Sequence, residues 1–80
     1  MTIISAQVFA QNLGIGPDTF DPDASAGVEM RFSNKGLLIP RVTLTSTSSP
    51  SPITSPANSL LIYNTVTTDD VTPGYYYWTG

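Results

Sequence analysis

The stretch that decides the fold is Ser59-Leu-Leu-Ile-Tyr-Asn-Thr65, which is followed after residues 66–73 by Gly74-Tyr-Tyr-Tyr-Trp-Thr79. Both segments contain aromatic and Thr residues, which favour strands, and neither keeps the apolar period of a helix. The residues between them include Asp69-Asp70, and Pro73 precedes the second segment, which is typical turn chemistry. The sequence therefore predicts a C-terminal β-hairpin with strands at residues 59–65 and 74–79.

Aromatic residues are densest in the second strand of this hairpin, where Tyr75, Tyr76, Tyr77 and Trp78 are consecutive. Alternation along a strand places Tyr75 and Tyr77 on one face, and Tyr76 and Trp78 then share the other. One pair is expected to fill the core or to pack across the hairpin, which leaves the second pair exposed. An exposed pair could contact a neighbouring subunit or stack on a sugar ring, and the glycan hypothesis assigns that role to Tyr76 and Trp78.

Upstream, Val28-Glu-Met-Arg-Phe-Ser33 alternates between apolar and polar residues. This period places Val28, Met30 and Phe32 on one face and the polar residues on the other, and it predicts a half-buried strand. Glu29 on the polar face is a candidate ion-pair partner for Arg41. Earlier still, residues 13–17 read as a short extended piece that ends in a turn, in which Gly14 and Gly16 allow close backbone approach or positive φ.

Three acidic residues, Asp18, Asp21 and Asp23, lie close together in the next loop. Oxygen-rich loops suit Ca²⁺, but the spacing is not that of an EF-hand. Asx turns and a cap by Asp23 on a single helical turn at residues 24–26 are the favoured interpretation. No metal, cofactor or catalytic site is therefore predicted.

The middle of the chain is punctuated by proline. Residues 36–45 read as a strand in which Pro40 must lie at an edge or a bulge, because it has no N–H to donate. Residues 46–58 are rich in Ser and Pro, and they predict an extended surface loop with Ile53 inserted into the core. Six apolar residues in two runs are the predicted core or interchain packing positions: Leu37, Leu38, Ile39, Leu60, Leu61 and Ile62.

Length and composition narrow the classes of function. A chain of 80 residues forms one small domain, which buries only about 60% of its unfolded surface, and this one has no Cys for a disulfide. It has no His either, which excludes Ser-His and Cys-His catalysis, and three basic residues are too few for a nucleic-acid footprint. The prediction is a non-enzymatic, small all-β module, completed by oligomerisation.

Residues 1–10 are mildly apolar and end in Val8-Phe-Ala10, the small-residue spacing that signal peptidase reads. Two interpretations stay open for them, a signal-peptide remnant and an edge strand of the module. Residues 11–80 then form one β-rich module. No stretch reaches the roughly 20 apolar residues of a membrane span.

Five phrases in this order are also similar to a known module: Gly14-Ile-Gly16, Pro22-Asp-Ala-Ser-Ala26, Lys35-Gly-Leu-Leu-Ile-Pro-Arg41, Leu60-Leu-Ile-Tyr-Asn-Thr65 and Tyr75-Tyr-Tyr-Trp78. Over residues 11–80 the chain resembles a module found near the start of secreted surface proteins of Bacteroidota, and in similar form in phage tail fibres.

This resemblance implies a structural or adhesive protein at the cell surface or outside the cell. The expected form is a homotrimer that connects to or displays a downstream adhesive domain, with other fibre or surface subunits as further partners. Two alternatives remain: a glycan-binding β module that uses its exposed aromatic residues, and a structural component of a virion tail or fibre.

Overall fold

The computed structural model describes residues 12–80, which contain short β-strands and no α-helix. The predicted all-β class is therefore confirmed. The chain divides into two compact units, Met1–Gly36 and Leu37–Gly80. The predicted leader or edge strand at residues 1–10 lies outside the described residues. The strands are β1 (Leu13–Ile15), β2 (Val28–Met30), β3 (Arg41–Val42), β4 (Leu61–Asn64) and β5 (Gly74–Tyr77).

In the first unit, β1 and β2 pair in parallel, with Leu13 opposite Val28 and Ile15 opposite Met30. The N–H of Leu13 also donates to the carbonyl of Gly27 at 2.8 Å, just before β2 begins. Parallel strands cannot be joined by a tight hairpin, so the chain has to return between them. Residues 16–27 make this return without a helix.

Glycine permits two close approaches in this unit. A Cβ added to Gly14 would lie 2.9 Å from the ring of Phe20, and one added to Gly16 would lie 2.7 Å from the carbonyl oxygen of Arg31. Both distances are shorter than a side chain tolerates. The prediction that Gly14 and Gly16 serve close backbone approach is confirmed.

A capped turn at Asp23 organises the return from β1 to β2. The Asp23 Oδ1 accepts hydrogen bonds from the N–H and the hydroxyl of Ser25, at 2.9 and 2.6 Å. Its carbonyl accepts the N–H of Ala26 at 2.9 Å, and the Asn12 side-chain amide donates to the carbonyl of Ala26 at 2.7 Å. Asp23 thus caps one turn at the predicted place, although the turn does not continue into a helix.

The second unit is a three-stranded sheet in the order β3-β4-β5. β3 runs parallel to β4, and β4 runs antiparallel to β5, with Ile62 opposite Tyr76. The predicted hairpin is confirmed, with strands a few residues shorter than expected. The strand predicted over residues 36–45 is reduced to Arg41–Val42 at one edge, where Pro40 immediately precedes it and uses only its carbonyl, which accepts the N–H of Tyr63 at 3.1 Å.

The core of this second unit is small. Leu44, Ile62 and Val71 are at most 5% exposed. Ile62 comes from β4, whereas Leu44 and Val71 come from the loops on either side of it. The half-buried side chains of Val42, Tyr76 and Trp78 pack against these three.

The loops that supply the core are closed by local turns. Thr68 and Val71 exchange backbone hydrogen bonds at 2.9 and 3.1 Å, with Asp69 between them in the left-handed region at φ 48°. The Asp70 carboxylate then accepts hydrogen bonds from the N–H of Thr47, at 2.8 Å, and from the Thr47 hydroxyl. This contact fastens the loop after β3 to the loop after β4.

The Ser/Pro-rich segment at residues 46–58 is less extended than predicted. Ser46 and Ser49 form an isolated bridge around a turn, and the N–H of Ile53 donates to the carbonyl of Pro50 at 2.9 Å. Ile53 is half-buried, and the three buried apolar residues of the second unit come from elsewhere. Local serine and backbone hydrogen bonds bend this segment into successive turns.

Asn64 is the buried polar residue of the second unit, and it is completely shielded from solvent. Its Oδ1 accepts the N–H of Leu44 at 2.9 Å and the N–H of Val66 at 3.5 Å. Its Nδ2 donates to the carbonyls of Val66 and Thr72 at 2.7 and 2.9 Å. Because the oxygen and the nitrogen of its amide both have hydrogen-bond partners, this side chain can stay buried while it joins three segments of backbone.

Candidate interaction surfaces

The first candidate surface is one face of the β1–β2 pair. The parallel register places Leu13, Ile15, Val28 and Met30 side by side, and we call these four residues the β1–β2 apolar face. All four are between 38% and 55% exposed. None of them carries a charge or a hydrogen-bonding side chain.

The reverse side of the same pair is covered. Phe20 and Pro22 lie against Gly14 there, as the short Cβ distances show. Glu29, also on this side, is half-buried, although its neighbours on β2 are exposed. Of the two faces that alternation predicts for β2, the exposed one is the face with Val28 and Met30.

The polar side of β2 is organised around the Glu29 carboxylate. It accepts the Nε–H of Arg31 at 2.7 Å and the backbone N–H of Asp23 at 2.7 Å. The Arg31 guanidinium, with the Asp23 amide, holds the pKa of Glu29 below its usual value. Arg31 also lies over the Phe20 ring, 4.2 Å from its centre. The ion-pair partner of Glu29 within the first unit is therefore Arg31, while the predicted pair with Arg41 of the second unit stays a prediction.

The second candidate surface is the outer face of β4 and β5. Alternation places Leu61, Tyr63, Tyr75 and Tyr77 together, and we call these four residues the β4–β5 aromatic face. Tyr63 and Tyr75 meet edge to face with ring centres 5.0 Å apart and planes at 79°. Tyr75 and Tyr77 are 64% and 65% exposed. Their rings are available to a ligand or to another chain.

Tyr76 and Trp78 take the opposite role. Both pack against the core of the second unit. The Tyr76 hydroxyl accepts the N–H of Thr72 at 3.1 Å and donates to the Thr72 carbonyl at 3.2 Å. The aromatic pair predicted to read a glycan is thus turned inward, and the exposed pair is Tyr75 and Tyr77.

The six predicted packing residues fall into different environments. Ile62 lies in the core, and Ile39 is half-buried. The remaining four are exposed: Leu37, Leu38, Leu60 and Leu61. Within one chain the core prediction therefore holds for Ile62, while interchain packing of the four exposed residues stays a prediction. Leu38, at 74%, has the most exposed apolar side chain of this set.

Several residues of the core and of the two candidate surfaces are not evident from the sequence pattern. Asn64 carried a signal, because Asn is uncommon inside strands and its presence in β4 points to a specific polar role. Leu44 and Val71 carried little signal, since both lie in segments that read as polar loops. The sequence around Leu13 and Ile15 predicts an extended piece but no partner strand that would define its exposed side.

Residues 12–80 show no grouping of three or more His, Cys, Asp or Glu side chains that could hold a metal ion. Of the three acids considered for calcium, Asp23 is engaged with Ser25. The Ser25 hydroxyl and amide lower the pKa of Asp23 from its usual value. The same part of the chain has no helix with the length and apolar character to cross a membrane.

The fold and its exposed surfaces define a small all-β structural module. The family model of the phage tail like trimerisation region matches residues 14–80. The chain belongs to this family, which is structural and non-catalytic, and the chain is accordingly a trimeric, fibre-like module. No curated protein and no solved structure matches it. The resemblance to phage tail-fibre modules is confirmed, while the relation to secreted surface proteins of Bacteroidota stays a prediction.

Proposed function

We propose that the chain acts as the trimeric connector of a fibre or surface protein and positions a downstream adhesive domain outside the cell. The observation that carries this proposal is the imbalance between core and surface in one copy. Among residues 12–80, three apolar side chains are buried, whereas both candidate surfaces leave large apolar groups exposed. Such a chain gains stability from neighbouring copies.

The size of this gain is considerable for so small a domain. Complete burial of a Leu, Ile, Val or Met side chain contributes about 1.5–3 kcal/mol, and a small domain has only about 5–15 kcal/mol of stability in total. The chain has no Cys, so disulfides do not supply an alternative. Trimer contacts are the stabilising element that both the family and the exposed side chains support.

The proposal is tested by light scattering on a sizing column over a range of concentrations. We expect the particle to have three times the chain mass of 8.5 kDa and to melt at a higher temperature as the concentration rises. A well-folded monomer at all concentrations would overturn it.

The location of the fibre is part of the same proposal. A cell-surface or extracellular fibre and a virion tail fibre share this architecture, and the former is the one we favour. Mass spectrometry of the protein from its natural source separates the two. An N-terminus at Gln11 supports export through a signal peptidase, whereas an intact Met1 supports the virion tail.

A second candidate function is glycan binding by the β4–β5 aromatic face. The exposed rings of Tyr75 and Tyr77 favour it, because an aromatic ring can stack on the apolar face of a sugar. We expect binding on a glycan array to disappear when Tyr75 and Tyr77 are both changed to Ala, in a protein that stays folded and trimeric. Binding that persists in this variant, or no binding by the wild type, would remove this candidate.

A further inference from the structure

We propose that the β1–β2 apolar face is the surface through which copies of this chain pack together in the trimer. This inference rests on the proposed function and adds the site, which the family match does not identify. Its occupant is the equivalent surface of a second and third copy.

The apolar and polar residues of β2 are placed in an inverted pattern. In a strand that packs only within its own chain, the apolar side chains face inward and the polar ones outward. Here Val28 and Met30 face outward, and Glu29 between them is the more covered residue. If assembly of the trimer covers the outward side, Val28 and Met30 face an interior, as apolar side chains of a strand usually do.

The parallel pairing of β1 with β2 also calls for a cover on both faces of the pair. Parallel sheets occur almost only where both faces are covered, and two strands by themselves are rarely stable. Phe20 and Pro22 cover one side of this pair, against Gly14. The other side, formed by the β1–β2 apolar face, is 38–55% exposed within the part of the chain that the structure describes.

The two candidate surfaces also differ in charge. On a surface that points toward a three-fold axis, each side chain near the axis approaches its own symmetry mates, so a charged residue there would bring like charges together. The β1–β2 apolar face contains no charged residue. On the second surface, Arg41 is exposed and lies opposite Tyr63 in the sheet register, beside the β4–β5 aromatic face. The uncharged surface is therefore the better one for packing three identical copies.

The test is the double variant Val28→Lys/Met30→Lys in the full chain. Burial of two unpaired ammonium groups per copy is strongly unfavourable, so the trimer should require a concentration on the order of 100-fold higher, or more, to assemble. The matched control is Tyr75→Lys/Tyr77→Lys, which adds the same charges to the other surface and should remain trimeric. Light scattering gives the mass, and the fluorescence of Trp78, in the second unit, reports folding.

The outcomes separate this inference from the proposed function. A wild-type monomer contradicts the proposed function itself. A trimeric wild type whose Val28→Lys/Met30→Lys variant is still trimeric overturns the inference and leaves the proposed function standing. Dissociation of the Tyr75→Lys/Tyr77→Lys control alone would transfer the interface to the aromatic face, which also overturns the inference.

A milder substitution covers the case in which the lysines prevent folding. Because the chain has no Cys, a single Val28→Cys is a unique thiol, and Tyr77→Cys is its control. In the trimer, maleimide should label Cys at position 28 slower than Cys at position 77, by on the order of 10-fold, since thiol reactivity follows exposure. Equal rates in a trimer would overturn the inference. A slow reaction of Cys at position 28, together with a Val28→Lys/Met30→Lys variant that is still trimeric, would mean that another segment covers this face. That result would overturn the inference as well.

Discussion

The two units of this chain use the same kind of short strands in opposite ways. In the second unit, β4 turns Ile62 and Asn64 inward and leaves Leu61 and Tyr63 outside. In the first unit, β2 turns its apolar residues outward and covers Glu29. The second unit therefore has a core of its own, while the first leaves an apolar face exposed among the described residues. Alternation of apolar and polar residues along a strand therefore predicts two faces but does not say which of them is inside.

The largest expected effect comes from Asn64, the polar centre of the self-contained unit. In Asn64→Ala the buried N–H of Leu44 and the half-buried carbonyl of Val66 lose the hydrogen bonds that Asn64 supplies, at about 1–3 kcal/mol for each group. We expect the free energy of unfolding of the second unit to fall by about 2–6 kcal/mol, the sum for these two groups. Urea denaturation followed by Trp78 fluorescence measures it.

Asn64→Asp provides the comparison for this prediction. It keeps an acceptor for Leu44 but turns a second oxygen toward the carbonyls of Val66 and Thr72, so it should be at least as destabilising as Asn64→Ala. A stability within about 0.5 kcal/mol of wild type for either variant, the range of an ordinary surface substitution, would contradict the central role of Asn64.

The next effect distinguishes the two units directly. Ile62→Ala should cost about 2–5 kcal/mol at every protein concentration, because it leaves a cavity in the core of a single chain. Ile15→Ala on the β1–β2 apolar face should lower the melting temperature in a manner that depends on concentration, because it weakens the trimer. Calorimetry at two concentrations measures both. An Ile15→Ala effect that is the same at both concentrations would remove the difference between the units.

A smaller effect is expected at Gly16 in the first unit. Gly16→Ala would put a Cβ 2.7 Å from the backbone oxygen of Arg31, and relief of this clash should cost about 1–3 kcal/mol. Gly27→Ala is the matched control, since nothing lies within 4 Å of a Cβ at that position. Thermal unfolding of both variants measures the difference. Equal stability of the two would contradict the close packing of β1 against the residues that follow β2.

The smallest effect is the acid dependence of the contact between Asp70 and Thr47. The hydroxyl and then the amide of Thr47 hold the pKa of Asp70 below its usual value, so the ionised form stabilises the folded state. This contribution is present above the unfolded-state pKa of about 3.9 and is lost as the pH falls through the lower folded-state value. Melting temperature against pH should therefore decline less steeply below about pH 4 in Asp70→Asn than in the control Asp18→Asn.

Identical acid profiles for these two variants would mean that Asp70 does not contribute. Some acid sensitivity should remain in Asp70→Asn, because Asp23 and Glu29 also have lowered pKa values and act with the same sign. Both belong to the first unit, so the remaining dependence reports on that unit.

Much of the local structure was predictable because it depends on short-range chemistry. The hairpin follows from two strand-forming segments around Asp69-Asp70, and the turn at Asp23 follows from its own side chain and that of Ser25. The position of Pro40 beside an edge strand follows from its missing N–H. The candidate surfaces were harder to predict. Alternation separated Tyr75 and Tyr77 from Tyr76 and Trp78, but it could not decide which pair would be covered.

The sequence by itself determined the all-β class, the hairpin, the capped turn and the absence of a disulfide, since these depend on neighbouring residues or on composition. Tertiary structure alone decided that Val71 in a turn becomes core, that Asn64 joins three backbone segments, and that Val28 and Met30 face outward. The physical reason is that burial depends on what the rest of the chain, or a second copy of it, places against a given face. Nearby residues define the faces of a strand, and distant residues decide which face is inside.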